Sequence, residues 1–104
     1  MTLPPARFNI SAEDFGIYGK QVLAELEKEV LKMDGWEVVS PNYEGLRVRC
    51  TSPNEKGWFL LRLSLHDPVM PLNIESDIAG GIEIIAAKLE LLLEDFHGLK
   101  TSRF

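Results

Sequence analysis

The strongest constraint on the fold is a run of short strand-like segments, closely linked, held between two helical stretches. At the C-terminal side, Ile78, Ile82, Ile85, Leu89, Leu92 and Phe96 step by four, three, four, three and four. Only a helix brings such positions onto one seam. At the N-terminal side, Val22, Leu26, Val30 and Met33 step by four, four and three, so a helix is predicted over about Tyr18 to Met33. Asp34-Gly35 is expected to end it, since glycine enters the left-handed region without a Cβ clash. Asp77 is read as the N-cap of the second helix and Gly98 as its end, with His97 in the last turn favouring the dipole. Lys100 to Phe104 reads as a frayed tail.

Between the helices lie "WEVV" (Trp36 to Val39), "LRVRCT" (Leu46 to Thr51), "WFLLRLS" (Trp58 to Ser64) and "LNIES" (Leu72 to Ser76). In the second run Leu46, Val48 and Cys50 alternate with Arg47, Arg49 and Thr51, the period of a half-buried strand. The third is apolar almost throughout, which predicts a central strand covered on both faces. Arg7 to Ile10 adds a short first strand. Links this short require antiparallel neighbours rather than crossovers. The predicted class is α+β, an antiparallel sheet with two helices packed on one face.

At 104 residues the chain is one domain, with about 6–97 ordered, and a deep walled cleft is hard to build at that size. Its single cysteine, Cys50, excludes an intramolecular disulfide and reads as a buried inert thiol. Met1 to Pro5 has neither a basic leader nor an apolar run, so no signal peptide is expected. Charges interrupt the longest apolar segments, which excludes a membrane span and points to a soluble, cytoplasmic protein, with a plastid address compatible.

The net charge of −5 is unevenly spread. From Gly45 to His66, Arg47, Arg49, Lys56 and Arg62 face only Glu55; from Asp67 to Phe96, seven acidic residues face only Lys88. Such a balance permits a local anion site and disfavours nucleic acid. His66 and His97 are far apart and no Cys or carboxylate cluster has ligand spacing, so no metal site is expected. Gly80-Gly81 opens a helix, but in an acidic segment without lysine, which is a poor phosphate cradle. Trp36 and Trp58 read as caps on the core.

"RLSLHDP", Arg62 to Pro68, carries the chemistry. Arg62 shares the parity of Trp58 and Leu60, and Ser64 follows on the same side. Asp67-Pro68 marks a turn. One reading is a plain turn. The other is an anion site in which the Arg62 fork, the Ser64 hydroxyl and the main-chain amides at Leu65 and His66 converge on phosphate oxygens.

The segments "NYEGLRVRC", "GWFLLRLSLHDPVMPLNIES" and the later "GG" resemble the C-terminal domain of the phosphohexomutases, the phosphoglucomutase and phosphomannomutase family. The resemblance runs from about Arg7 to Phe96. It implies a TBP-like β-α-β4-α fold. It also implies a parent enzyme that interconverts hexose 1-phosphate and hexose 6-phosphate through a bisphosphorylated sugar, using a phosphoserine and Mg²⁺ held by earlier domains. In that scheme this domain holds the substrate's other phosphate, with Arg62, Ser64, Leu65 and His66 as the site. The partners implied are a hexose phosphate or bisphosphate and the parent's other domains; no cofactor is implied for this domain, and no nucleic acid or membrane. Leu65 and His66 depart from the family's Asn or Gly and Thr. The alternative is a stand-alone interaction domain presenting apolar surface around Leu63 and Val69.

Overall fold

The structure, a computed structural model, describes residues 6–10, 14–39, 45–64 and 67–101. Eight elements run in the order β1 (Ala6–Ile10), α1 (Phe15–Leu31), β2 (Trp36–Val39), β3 (Gly45–Cys50), β4 (Gly57–Arg62), β5 (Val69–Ser76), α2 (Gly81–Leu93) and β6 (Leu99–Thr101). The strands form one sheet in the order β2-β3-β4-β5-β1-β6, every neighbouring pair antiparallel.

Strand alternation divides the sheet into two unlike faces. Phe8, Ile10, Trp36, Leu46, Val48, Cys50, Phe59, Leu61, Met70, Leu72 and Ile74 point inward, where Val22, Leu26 and Val30 of α1 and Ile85, Leu89 and Leu93 of α2 cover them in one core. Arg7, Glu37, Arg47, Arg49, Arg62 and Asn73 are exposed on the opposite face. The helices therefore cover one side only, as the class predicted.

That arrangement corrects the reading of β4. Its nearly continuous apolar run does not mean burial on both sides. Phe59 and Leu61 are buried, whereas Trp58 and Leu60 lie half-exposed on the open face. Trp36 does cap the core, packing edge-on against Phe59 at 5.1 Å between ring centroids. Trp58 does not; the Arg47 guanidinium lies over its ring at 4.9 Å, a cation–π contact that shields the indole without helix cover.

The helix ends also shift. Asp14 caps α1, accepting the Ile17 amide at 3.2 Å, so the helix starts before Tyr18. Asp77 does not cap α2. Its amide donates to the Lys56 carbonyl at 2.9 Å, and Ile78 is spent in a turn that closes on Gly81. Gly80, at φ 83°, takes the cap position, and a Cβ on Gly81 would lie 2.6 Å from the Glu55 carbonyl oxygen. Glycine at position 81 is required by that close approach.

α2 ends at Leu93, short of Gly98, because the chain turns to form β6 on the outer edge of β1. Lys100 and Thr101 are thus in a strand and not in a frayed tail, and His97 stands exposed in the turn after the helix. Gly98 donates its amide to the Tyr18 hydroxyl at 2.9 Å; a Cβ there would strike the Tyr18 ring. β5 starts at Val69, before the predicted Leu72, with Met70 continuing the buried parity of Leu72 and Ile74 across Pro71.

Candidate functional site

β4 delivers the corner. Its last residue, Arg62, pairs with Gly45 at the start of β3. A Cβ on Gly45 would lie 3.1 Å from Arg62 Cγ, so the missing side chain leaves the arginine stem its space. Leu63 points the other way, is 9% exposed, and lies directly against Gly19 of α1, where even a methyl group would collide with it. Arg62 is exposed, Leu63 buried and Ser64 half-buried.

Arg62 is exposed, and among the described residues no carboxylate pairs with it. Ser64 is half-buried. Its amide donates to the Val69 carbonyl at 3.2 Å, and its hydroxyl oxygen accepts the Asp67 amide at 3.3 Å. The Val69 amide in turn donates to Asp67 O at 2.7 Å, and the Ile10 amide to Pro68 O at 2.7 Å, which ties the turn to β1. The amides of Ser64 and Asp67 are therefore engaged within the turn and do not face an anion. The Ser64 O–H remains a donor, because accepting from Asp67 uses only a lone pair. Leu65 and His66 lie outside the described residues. Leu63, placed by the interaction reading in an exposed apolar patch, is buried instead, and Val69 is half-buried.

Glu55, counted among the surface charges, is the most deeply buried ionisable group described, at 0% exposure. Its Oε1 accepts Trp36 Nε1–H at 2.7 Å, its Oε2 pairs with Lys88 Nζ, and its carbonyl accepts the Ser76 hydroxyl. Sequence reasoning missed it because "SPNEKG" has the composition of a solvated loop; no local signal marks a loop carboxylate as core. Among the described residues every buried side-chain polar atom has a partner. Cys50 lies in the core, and burial, with the nearby Glu55 charge adding to it, pushes its thiol up to about 12. Such a thiol is no nucleophile at neutral pH. Among the described residues no three His, Cys, Asp or Glu side chains gather as a metal site, and no helix is long and apolar enough to cross a membrane.

No family model matches this sequence, and no curated protein does. The structure is similar to that of a phosphoglucomutase/phosphomannomutase family protein from Burkholderia thailandensis, with a TM-score of 0.69 and 23% sequence identity. The shared property is the fold. The match covers 99% of this chain and 19% of that one, so the chain spans about one-fifth of its structural neighbour's length.

Proposed function

We propose that this chain is the C-terminal phosphate-binding domain of a phosphohexomutase, an enzyme that moves a phosphoryl group between C1 and C6 of a hexose through a bisphosphorylated intermediate. The observation that carries the reading is the Arg62 corner: an exposed guanidinium and, two residues on, a half-buried hydroxyl, on either side of the buried Leu63. A fold shared with about one-fifth of a phosphoglucomutase/phosphomannomutase family protein supports it.

In this reading the domain supplies binding and orientation, and the covalent phosphoserine step and Mg²⁺ chemistry belong to parts of the parent enzyme beyond these residues. Arg62 offers a planar pair of N–H donors matched to two phosphate oxygens, and Ser64 adds a third donor. A clamp on the non-reacting phosphate leaves the other end of the sugar free to react. Because a bisphosphate must be bound in either orientation, recognition through phosphate suits the task better than recognition through one hydroxyl. A small domain joined to a larger enzyme can also swing to close the site against water. The isolated chain is expected to bind and not to catalyse, and a cytoplasmic setting fits the substrate class.

Two or three charge-assisted hydrogen bonds of roughly 1.5–3 kcal/mol each, offset by the cost of immobilising the ligand, give an affinity on the order of millimolar for the domain alone. Titration of glucose 1,6-bisphosphate followed by amide NMR tests the proposal. Shifts centred on Arg62 to Asp67 are expected, and a saturating titration that leaves those amides unmoved rejects the phosphate site.

A further inference from the structure

The open face carries a concavity well away from Arg62. A cleft of about 510 Å³ lies over the ends of β3, β4 and β5 and is lined by Arg47, Arg49, Lys56, Trp58, Glu75 and Asp77, among others. Its volume falls in the range of small-ligand sites. Gly57 and Arg62 are the two ends of β4, and five residues at ~3.3 Å each separate them by about 16 Å, too far for one phosphate to bridge.

The lining has a definite chemical division. On one side are cations, Lys56 and Arg49; Arg49 makes a loose 3.9 Å contact to Glu37, with both side chains 61% exposed. On the β5 side are the carboxylates of Glu75 and Asp77, of which the exposed Asp77 is an acceptor suited to hydroxyl donors. The half-exposed indole of Trp58, braced by Arg47, forms the floor. Lys56 supplies an independent observation. It is the one described non-glycine residue at positive φ, 39°, a region in which a Cβ is strained. Its backbone is pinned there at both ends, the amide donating to Ser52 O at 3.0 Å and the carbonyl accepting Asp77 N at 2.9 Å. A glycine would meet that turn without strain, so the lysine head is kept at the cleft mouth at a local conformational cost.

We propose that this cleft is a second binding site, for a sugar that carries an anionic group. The anionic substituent meets Lys56 and Arg49, and the ring hydroxyls donate to Asp77, beside the half-exposed Trp58. The site uses neither Arg62 nor Ser64, so it stands or falls separately from the phosphate corner.

The test is NMR titration of the full 104-residue chain with glucose 6-phosphate, glucuronate, glucose and inorganic phosphate, reading the Trp58 indole N–H and the Lys56 and Gly57 amides. The anionic sugars are expected to shift these signals at least about tenfold more tightly than glucose or phosphate alone. Preference for glucose 6-phosphate assigns a phosphate headgroup and preference for glucuronate a sugar acid. Lys56→Gly, which relieves the strained turn and preserves the fold, is expected to weaken the response several-fold, whereas Arg62→Ala leaves it intact. The inference is overturned by unmoved signals, by inorganic phosphate binding as tightly as the sugars, by an unchanged response in Lys56→Gly, or by loss of the response in Arg62→Ala.

Discussion

Glu55 gives the sharpest test of the packing. Replacing it with alanine removes the acceptor for Trp36 Nε1–H, whose side chain is buried at 4% exposure, and removes the partner of Lys88. A buried donor left without a partner costs about 1–3 kcal/mol. Lys88 is 39% exposed and regains water, so its loss is well below the roughly 3–5 kcal/mol of breaking a fully buried pair. The vacated space adds to the penalty. Together these place Glu55→Ala at about 2–4 kcal/mol, a large part of the ~5–15 kcal/mol that holds a domain of this size. Glu55→Gln separates the contributions, because its amide oxygen still accepts from Trp36 while the charge pairing is gone; it should cost about 1–2 kcal/mol. Urea unfolding read by far-UV circular dichroism, with equal slopes checked between variants, measures both. If Glu55→Ala lies within about 0.5 kcal/mol of wild type, the usual range of surface substitutions, the loop carboxylate is not part of the core and the reasoning fails.

Three further outcomes follow from single contacts. The Cys50 thiol, pushed up to about 12 from 9.0, stays neutral in the fold while the unfolded thiol ionises, so stability contributed by this group is complete below pH 9 and lost as pH rises toward 12. At pH 10 the loss is about 1.4 kcal/mol, and comparing urea midpoints at pH 8 and pH 10 should show that slope in wild type and not in Cys50→Ala. Tyr18→Phe removes the acceptor of the Gly98 amide and should cost about 1 kcal/mol, with faster hydrogen exchange confined to residues 98–101. Gly19→Ala forces Leu63 to move, so it should weaken phosphate binding at Arg62 although it touches no ligand; unchanged affinity with a stably folded variant would remove Leu63 from the positioning of that corner.

Period alone was enough for the two helices, the strand parities and the inward face. β3 illustrates why: Leu46, Val48 and Cys50 lie buried and Arg47 and Arg49 exposed, because a two-residue repeat admits no other assignment once one face is covered. Parity likewise matches the exposed Arg62 beside the buried Leu61 and Leu63. The failures occur where tertiary contacts override local pattern. Trp58 and Leu60 are apolar yet outward, and Trp58 lies under the Arg47 guanidinium in a contact that no periodicity encodes. Ile78 continues a helical seam but is used in a turn, since Ser76 and Glu55 crowd the start of α2 and only Gly81 fits. β6 is three residues long and owes its existence to the free edge of β1 and to Tyr18, some eighty positions away in sequence. At the corner, the exposure of Arg62 was legible in strand parity, whereas its surroundings were not: Gly45 lies against the arginine stem and Gly19 receives Leu63. Nor did composition reveal that the Ser64 and Asp67 amides would be consumed by the turn itself.

The most direct measurement is calorimetric titration of glucose 1,6-bisphosphate into wild type, Arg62→Lys and Arg62→Ala. A guanidinium that holds two phosphate oxygens contributes about 2–3 kcal/mol, so Arg62→Ala should lose roughly 30- to 160-fold in affinity, and Arg62→Lys, which keeps charge without the fork, should fall between. Equal affinity in all three proteins would mean that residue 62 touches no phosphate, and the proposed clamp would have no basis.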